Sequence, residues 1–116
     1  QRLMTSAVVI VDDECAGYAA WNEAQLASLF VARSWRSRGL GQALLQHCES
    51  CMMRQGHEFI WLNCILGNLA ARRFYERAGW SCGEERSWPV ECEDVDAEVH
   101  AWIMRKHLLE RHTSGS

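Results

Sequence analysis

Ala7-Val8-Val9-Ile10-Val11 is an unbroken apolar, β-branched run closed by Asp12-Asp13-Glu14, which predicts a strand ending in a polar turn. A run without alternation also calls for cover on both faces of the strand. Residues 15–21 give a second strand, Asn22-Glu23 turns it back, and residues 25–32 give a third. The short connections make the three an antiparallel meander. From residue 39 to 55 the period changes to that of a helix, with Leu40, Leu44, Cys48, Cys51 and Met52 on one face. Gly56 stops that helix, and His57 follows in the turn. Phe59-Ile60-Trp61-Leu62-Asn63-Cys64 is a further strand. Asn68 is a good N-cap for a second helix over residues 69–78, whose packing face is Ala71, Phe74 and Ala78 and which Gly79 ends. Residues 80–88 and 97–105 are two closing strands around an acidic loop, residues 89–96. Strand, helix, strand in this order implies one parallel pair in an otherwise antiparallel sheet. The fold class is therefore α/β (α+β), a mixed, mostly antiparallel sheet of about six strands with two main helices.

Composition narrows the function only a little. The 116 residues suit one domain, assigned to residues 1–108, with a polar tail at 109–116. The formal charge of −3 argues against nucleic acid as a partner, and no apolar run approaches the ~20 residues that span a membrane. The six cysteines come without a secretory signal and beside ample core-forming residues. They read as small apolar core residues of a reduced, cytoplasmic protein rather than a disulfide framework. Cys48 and Cys51 have C-x-x-C spacing, but no second pair completes a zinc site, and no metal is expected.

The chemistry-bearing stretch is Ala32-Arg33-Ser34-Trp35-Arg36-Ser37-Arg38-Gly39-Leu40-Gly41-Gln42. A strand runs into an Arg- and Gly-rich turn, and the turn into a helix N-terminus. Backbone N–H groups of a first helical turn lack intrahelical acceptors, and the helix dipole adds positive potential there, so such a junction is an anion cradle. Arg33, Arg36 and Arg38 add cations, and Gly39 and Gly41 permit close approach of a ligand to the backbone. A basic loop with two permissive glycines has the same composition.

Arg36-x-x-Gly39-x-Gly41 resembles the acyl-CoA pyrophosphate signature of the GNAT superfamily of N-acetyltransferases, Gln/Arg-x-x-Gly-x-Gly/Ala, and Leu29-Phe30-Val31 with Trp35 matches the run before it. A second segment, Asn68-Leu69-Ala70-Ala71-Arg72-Arg73-Phe74-Tyr75-Glu76-Arg77-Ala78-Gly79-Trp80, is similar to the family's N-x-x-A-x-x-F-Y-E-x-x-G-F. Two signatures in the right order, separated by a helix and a strand, are far more specific than either alone. The resemblance covers roughly residues 7–105 and is to the bacterial ribosomal-protein-alanine acetyltransferase type.

The resemblance implies transfer of an acetyl group from acetyl-CoA to a primary amine of a small molecule or protein. It implies that Arg36, Ser37, Arg38, Gly39, Leu40, Gly41 and Gln42 hold the cofactor phosphates. The main chain of Leu29 and Val31, and Asn68, would hold the pantetheine arm. It nominates Tyr75 as general acid; a phenol with pKa about 10 suits reprotonation of a thiolate. The family's glutamate base aligns with Asn63, which cannot accept a proton at neutral pH, and a water relay, Glu98 or His100 remain as substitutes. The family also begins with one more strand and two helices that wall off the acceptor site, and these are not seen ahead of Ala7. The uncovered run 7–11 then implies a homo-oligomer. A CoA-binding or regulatory module without catalysis is the alternative reading; a plain interaction domain would need neither signature.

Overall fold

The computed structural model describes residues 5–108. Its strands are β1 (Thr5–Val11), β2 (Glu14–Asn22), β3 (Gln25–Val31), β4 (Phe59–Ile65), β5 (Ser81–Cys92) and β6 (Val95–His107). The helices are α1 (Leu40–Arg54) and α2 (Leu69–Arg77). Six strands in a mixed sheet with two helices is the architecture the sequence predicts. The proposed tail, residues 109–116, lies outside the described residues. Contacts divide the chain into two compact units, Gln1–Ile60 with His107–Ser116, and Trp61–Lys106.

In the first unit β1, β2 and β3 form the expected antiparallel meander, with Val8 opposite Tyr18 and Tyr18 opposite Phe30. Asp12 and Asp13 both take positive φ in the β1–β2 turn (51° and 66°), a conformation that short polar side chains tolerate. One face of the meander packs on α1. Ala16, Ala19, Trp21 and Leu26 from the strands and Leu44, Leu45, Cys48 and Met52 from the helix are buried. The helical spacing of the last four explains why α1 forms where it does: they make one apolar stripe. Gly56, at φ 98°, closes the helix with its N–H donated to Met53 O at 2.9 Å and His57 N–H donated to Met52 O at 3.1 Å.

β1 lacks the cover on both faces that its apolar run calls for. Ala7, Val9 and Val11 are half-buried, but Val8 and Ile10 are 57% and 58% exposed, with Tyr18 and Phe30 beside Val8 on the same face. A continuous apolar run does not reveal which alternate side chains are the more exposed, because successive strand residues point to opposite faces whatever their chemistry.

The second unit holds residues 61–65 of β4, α2, and the β5–β6 hairpin, with β6 between β4 and β5. Leu62, Cys64, Trp80, Ala101, Ile103 and Met104 are its buried apolar residues. Asn68 caps α2 as predicted, its Oδ1 accepting from Ala71 N–H at 3.1 Å. Lys106 Nζ donates to Ala78 O at 2.7 Å, satisfying a carbonyl at the other end of the helix. One expectation is corrected here, the acidic loop. Pro89 to Cys92 continue β5, Val95 and Asp96 already belong to β6, and only Glu93 and Asp94 turn. Pro89 suggests a loop from sequence, but β5 is the last strand of the sheet, and an edge strand tolerates a residue without an N–H.

Candidate functional site

The cradle belongs to the first unit. After β3 the chain makes a 3₁₀ turn, Arg33–Trp35, anchored by Ala32 N–H donating to Ala16 O and Trp35 N–H donating to Ala32 O, each at 2.8 Å. Arg36 Nε then donates to Val31 O at 3.0 Å, tying the turn back to the end of β3. The Arg38 guanidinium lies over the Trp35 ring, 4.8 Å from its centroid. Two of the three arginines are thus positioned by the turn that carries them. Sequence reading could count those cations but had no signal for these contacts.

The backbone between them is unusual. Ser37 at φ 64° and Gly39 at φ 80° are both left-handed, on either side of Arg38. Alternation into the left-handed region is how successive N–H groups come to face one anion. Serine pays a steric penalty there that glycine does not, and such strain persists where its surroundings enforce it. A Cβ built on Gly39 would meet nothing within 4 Å, so its φ, rather than a close neighbour in the chain, is what calls for glycine.

Gly39 is the N-cap of α1, and no side chain caps it. The first turn, Leu40, Gly41 and Gln42, has no acidic residue, and its earliest intrahelical bond is Ala43 N–H to Gly39 O at 3.0 Å. An uncapped helix start with no carboxylate and with Arg36 and Arg38 just ahead fits a phosphate-bearing ligand. Leu29 and Val31 are half-buried, opposite Ala19 and Gly17 of β2. A Cβ on Gly17 would stand 2.7 Å from Phe30 O and 3.7 Å from Leu44 Cδ2, so β2 and β3 approach closely at this end.

The remaining nominees lie in the second unit. Asn68 is the α2 N-cap described above. Tyr75 is half-buried on α2, its ring edge-on to Phe74 at 5.2 Å and to Trp80 at 5.7 Å, while its carbonyl accepts from Trp80 N–H at 3.0 Å. These contacts hold the ring through its apolar body. Asn63 is half-buried on β4. The two base candidates on β6 are joined to each other, His100 Nε2 to Glu98 Oε1 at 3.1 Å, and His100 O accepts from Leu66 N–H at 2.9 Å in the link between β4 and α2. Among the described residues no group of three or more His, Cys, Asp or Glu could hold a metal ion, and no helix is long and apolar enough to cross a membrane.

A mixed sheet whose third strand runs through a glycine-bearing turn into its first long helix is a fold shared with solved acetyltransferases. The chain belongs to the acetyltransferase (GNAT) family, whose pattern its residues 2–80 match. Solved structures with the same fold include nourseothricin acetyltransferase, at 22% identity and a TM-score of 0.77 over 90% of this chain and 65% of that one. Another is the ribosomal-protein-S18-alanine N-acetyltransferase from Escherichia coli, at 21% identity and a TM-score of 0.71 over 94% of this chain and 72% of that one. A third is a GNAT family acetyltransferase from Elizabethkingia anophelis with acetyl-CoA bound, at 12% identity and a TM-score of 0.74 over 90% and 76%. At these identities the likeness is one of fold. The chain spans less than two thirds of the length of the nourseothricin enzyme. No curated protein sequence matches it.

Proposed function

We propose that the protein is an N-acetyltransferase that moves an acetyl group from acetyl-CoA to a primary amine of a small molecule or protein. The observation that carries the reading is the cradle: left-handed Ser37 and Gly39 leading into the uncapped, carboxylate-free start of α1, with Arg36 and Arg38 fixed beside it. Arg36, Ser37, Arg38, Gly39, Leu40, Gly41 and Gln42 would hold the cofactor phosphates. Backbone groups of Leu29 and Val31 would hold the pantetheine arm, and Asn68, whose capping bond engages Oδ1, is proposed separately as a cofactor contact. Bound acetyl-CoA supplies an activated thioester, and Tyr75 donates a proton to the sulfur that leaves it. His100, held by Glu98, and a water relay are the groups suited to take the amine's proton. The acceptor and the oligomeric state belong to the same proposal: an amine-bearing partner, no nucleic acid or membrane, and a homo-oligomer. The six unpaired cysteines suit a reducing, cytoplasmic setting.

A second reading, a CoA-binding or regulatory module without catalysis, is favoured by Asn63 at the position where the family has its glutamate. One experiment separates the two. The purified protein is incubated with acetyl-CoA and a panel of amines and peptides, with mass-spectrometric detection of acetylated products. Acetylation of any panel member supports the transferase. A ligand-induced rise in melting temperature with no product from any amine supports the binding module. Neither effect at millimolar acetyl-CoA overturns both.

A further inference from the structure

The last turns of α1 carry a constellation that the acetyl-transfer reading does not use. Cys51 Sγ lies 3.5 Å from His47 Nε2, one turn earlier, and accepts from Arg54 Nη2 at 3.4 Å. The exposed His47 ring is set edge-on to the buried Trp21 ring, at 6.4 Å and 73°. Cys51 is half-buried, reachable from solvent yet flanked by its two partners. Helix carbonyls at this end disfavour negative charge, so the imidazole and the guanidinium must supply the opposing field. Cys48, one turn away, differs in every respect: it is fully buried, and burial foremost pushes its thiol up to about 12. One of the two C-x-x-C thiols is sealed in the core, and the other faces a base and a cation.

We propose that Cys51, with His47 and Arg54, is a thiol-modification site that forms mixed disulfides with low-molecular-weight disulfides. His47 takes the thiol proton as the sulfur attacks one sulfur of the reagent. A new S–S bond forms to Cys51, the reagent's S–S bond breaks, and its other half leaves as a thiolate that receives the proton from the imidazolium. Arg54 faces the sulfur while it carries negative charge. No further oxidant is consumed, because the small disulfide is itself reduced.

Cys15 and Cys92 are exposed cysteines of the same molecule and serve as internal references. The intact protein is treated with a limiting amount of oxidised glutathione, and modification at each cysteine is followed by peptide mass spectrometry with fragment-ion assignment of Cys48 and Cys51. Cys51 is expected to react first, roughly fivefold faster or more than Cys15 or Cys92. His47→Gln and Arg54→Gln are each expected to bring its rate toward theirs. Faster reaction of Cys15 or Cys92 in the wild type overturns the proposal, as does a Cys51 rate untouched by both substitutions. The wild-type ranking needs no variant, so it decides the matter even where a substitution impairs folding. Acetyl-transfer activity does not enter the readout.

Discussion

Gly41 sits in the first turn of α1, where the carboxylate of an aspartate suits the helix dipole and so leaves the fold intact. The same carboxylate would occupy the place proposed for cofactor phosphate. Acetyl-CoA is expected to raise the melting temperature of the wild type, as binding to the native state requires. Gly41→Asp is expected to keep the unliganded melting temperature and lose the shift; thermal denaturation with and without ligand checks both. Tyr75→Phe removes the proposed proton donor but keeps the ring between Phe74 and Trp80. Turnover is expected to fall roughly a hundredfold with the cofactor dissociation constant little changed, because the proton moves only in the transition state. Equal turnover by the variant would remove Tyr75 from the reaction. Gly17 is a different case. An added Cβ at 2.7 Å from Phe30 O meets backbone, which cannot swing aside. Gly17→Ala is expected to cost about 1–3 kcal/mol in urea unfolding, by the same physics as overpacking a core.

At the scale of the element, α1 joins a polar start to an apolar stripe, and its stability carries a pH signature. Cys48 titrates near 9.0 when unfolded and at about 12 when folded, chiefly because burial penalises the thiolate. Above pH ~9 the unfolded chain loses a proton that the folded chain keeps, so stability falls as pH rises through that window and is fully present below it. The slope reaches at most about 1.4 kcal/mol per pH unit for one thiol. Cys64, also pushed up by burial, acts in the same direction. Cys48→Ala is expected to flatten the decline between pH 9 and pH 11 in denaturant titrations, while lowering stability at pH 7 through lost packing. An unchanged slope would show that the thiol ionises as readily folded as unfolded. The hairpin teaches another lesson at this scale. Its acidic tip is only Glu93 and Asp94, with Asp94 at φ 59°, and the ladder beside it pairs Cys92 with Val95. Residues 89–92 and 95–96 therefore contribute strand, and only residues 93 and 94 turn.

For the whole molecule the open question is association. β1 is an end strand of the sheet, and its sequence from Thr5 to Val11 carries no charge and no proline. Edge strands are usually guarded by one or the other. Val8 and Ile10 stand exposed on it, with Tyr18 and Phe30 on the neighbouring strands. A second copy of the chain is expected to cover this region. Sedimentation equilibrium at micromolar concentration should give a mass of at least twice 13.3 kDa, and Val8→Lys should shift the equilibrium to monomer. A wild-type monomer that stays soluble would show that the edge is protected within the chain.

Local chemistry determined much of this protein before any coordinate was known. Strands 1 to 4 and both helices are legible because their signals are short-range: β-branched runs, a 3.6-residue apolar period, Asn68 as a cap and Gly56 as a stop. The cradle is legible for the same reason, since a strand, a glycine-bearing turn and a helix start are contiguous in sequence. What only the tertiary structure decided depends on partners distant along the chain. Which side chains of the run 7–11 are covered depends on what packs against each face of the meander. Whether Pro89 breaks a strand depends on whether that strand is at an edge. Glu98 and His100 become a hydrogen-bonded pair only once β6 fixes both on one face, and the two thiols of Cys48-x-x-Cys51 part company only when the meander buries one of them. A residue's type states what it can do; burial and neighbours, which the linear pattern does not carry, decide which of those capacities is used.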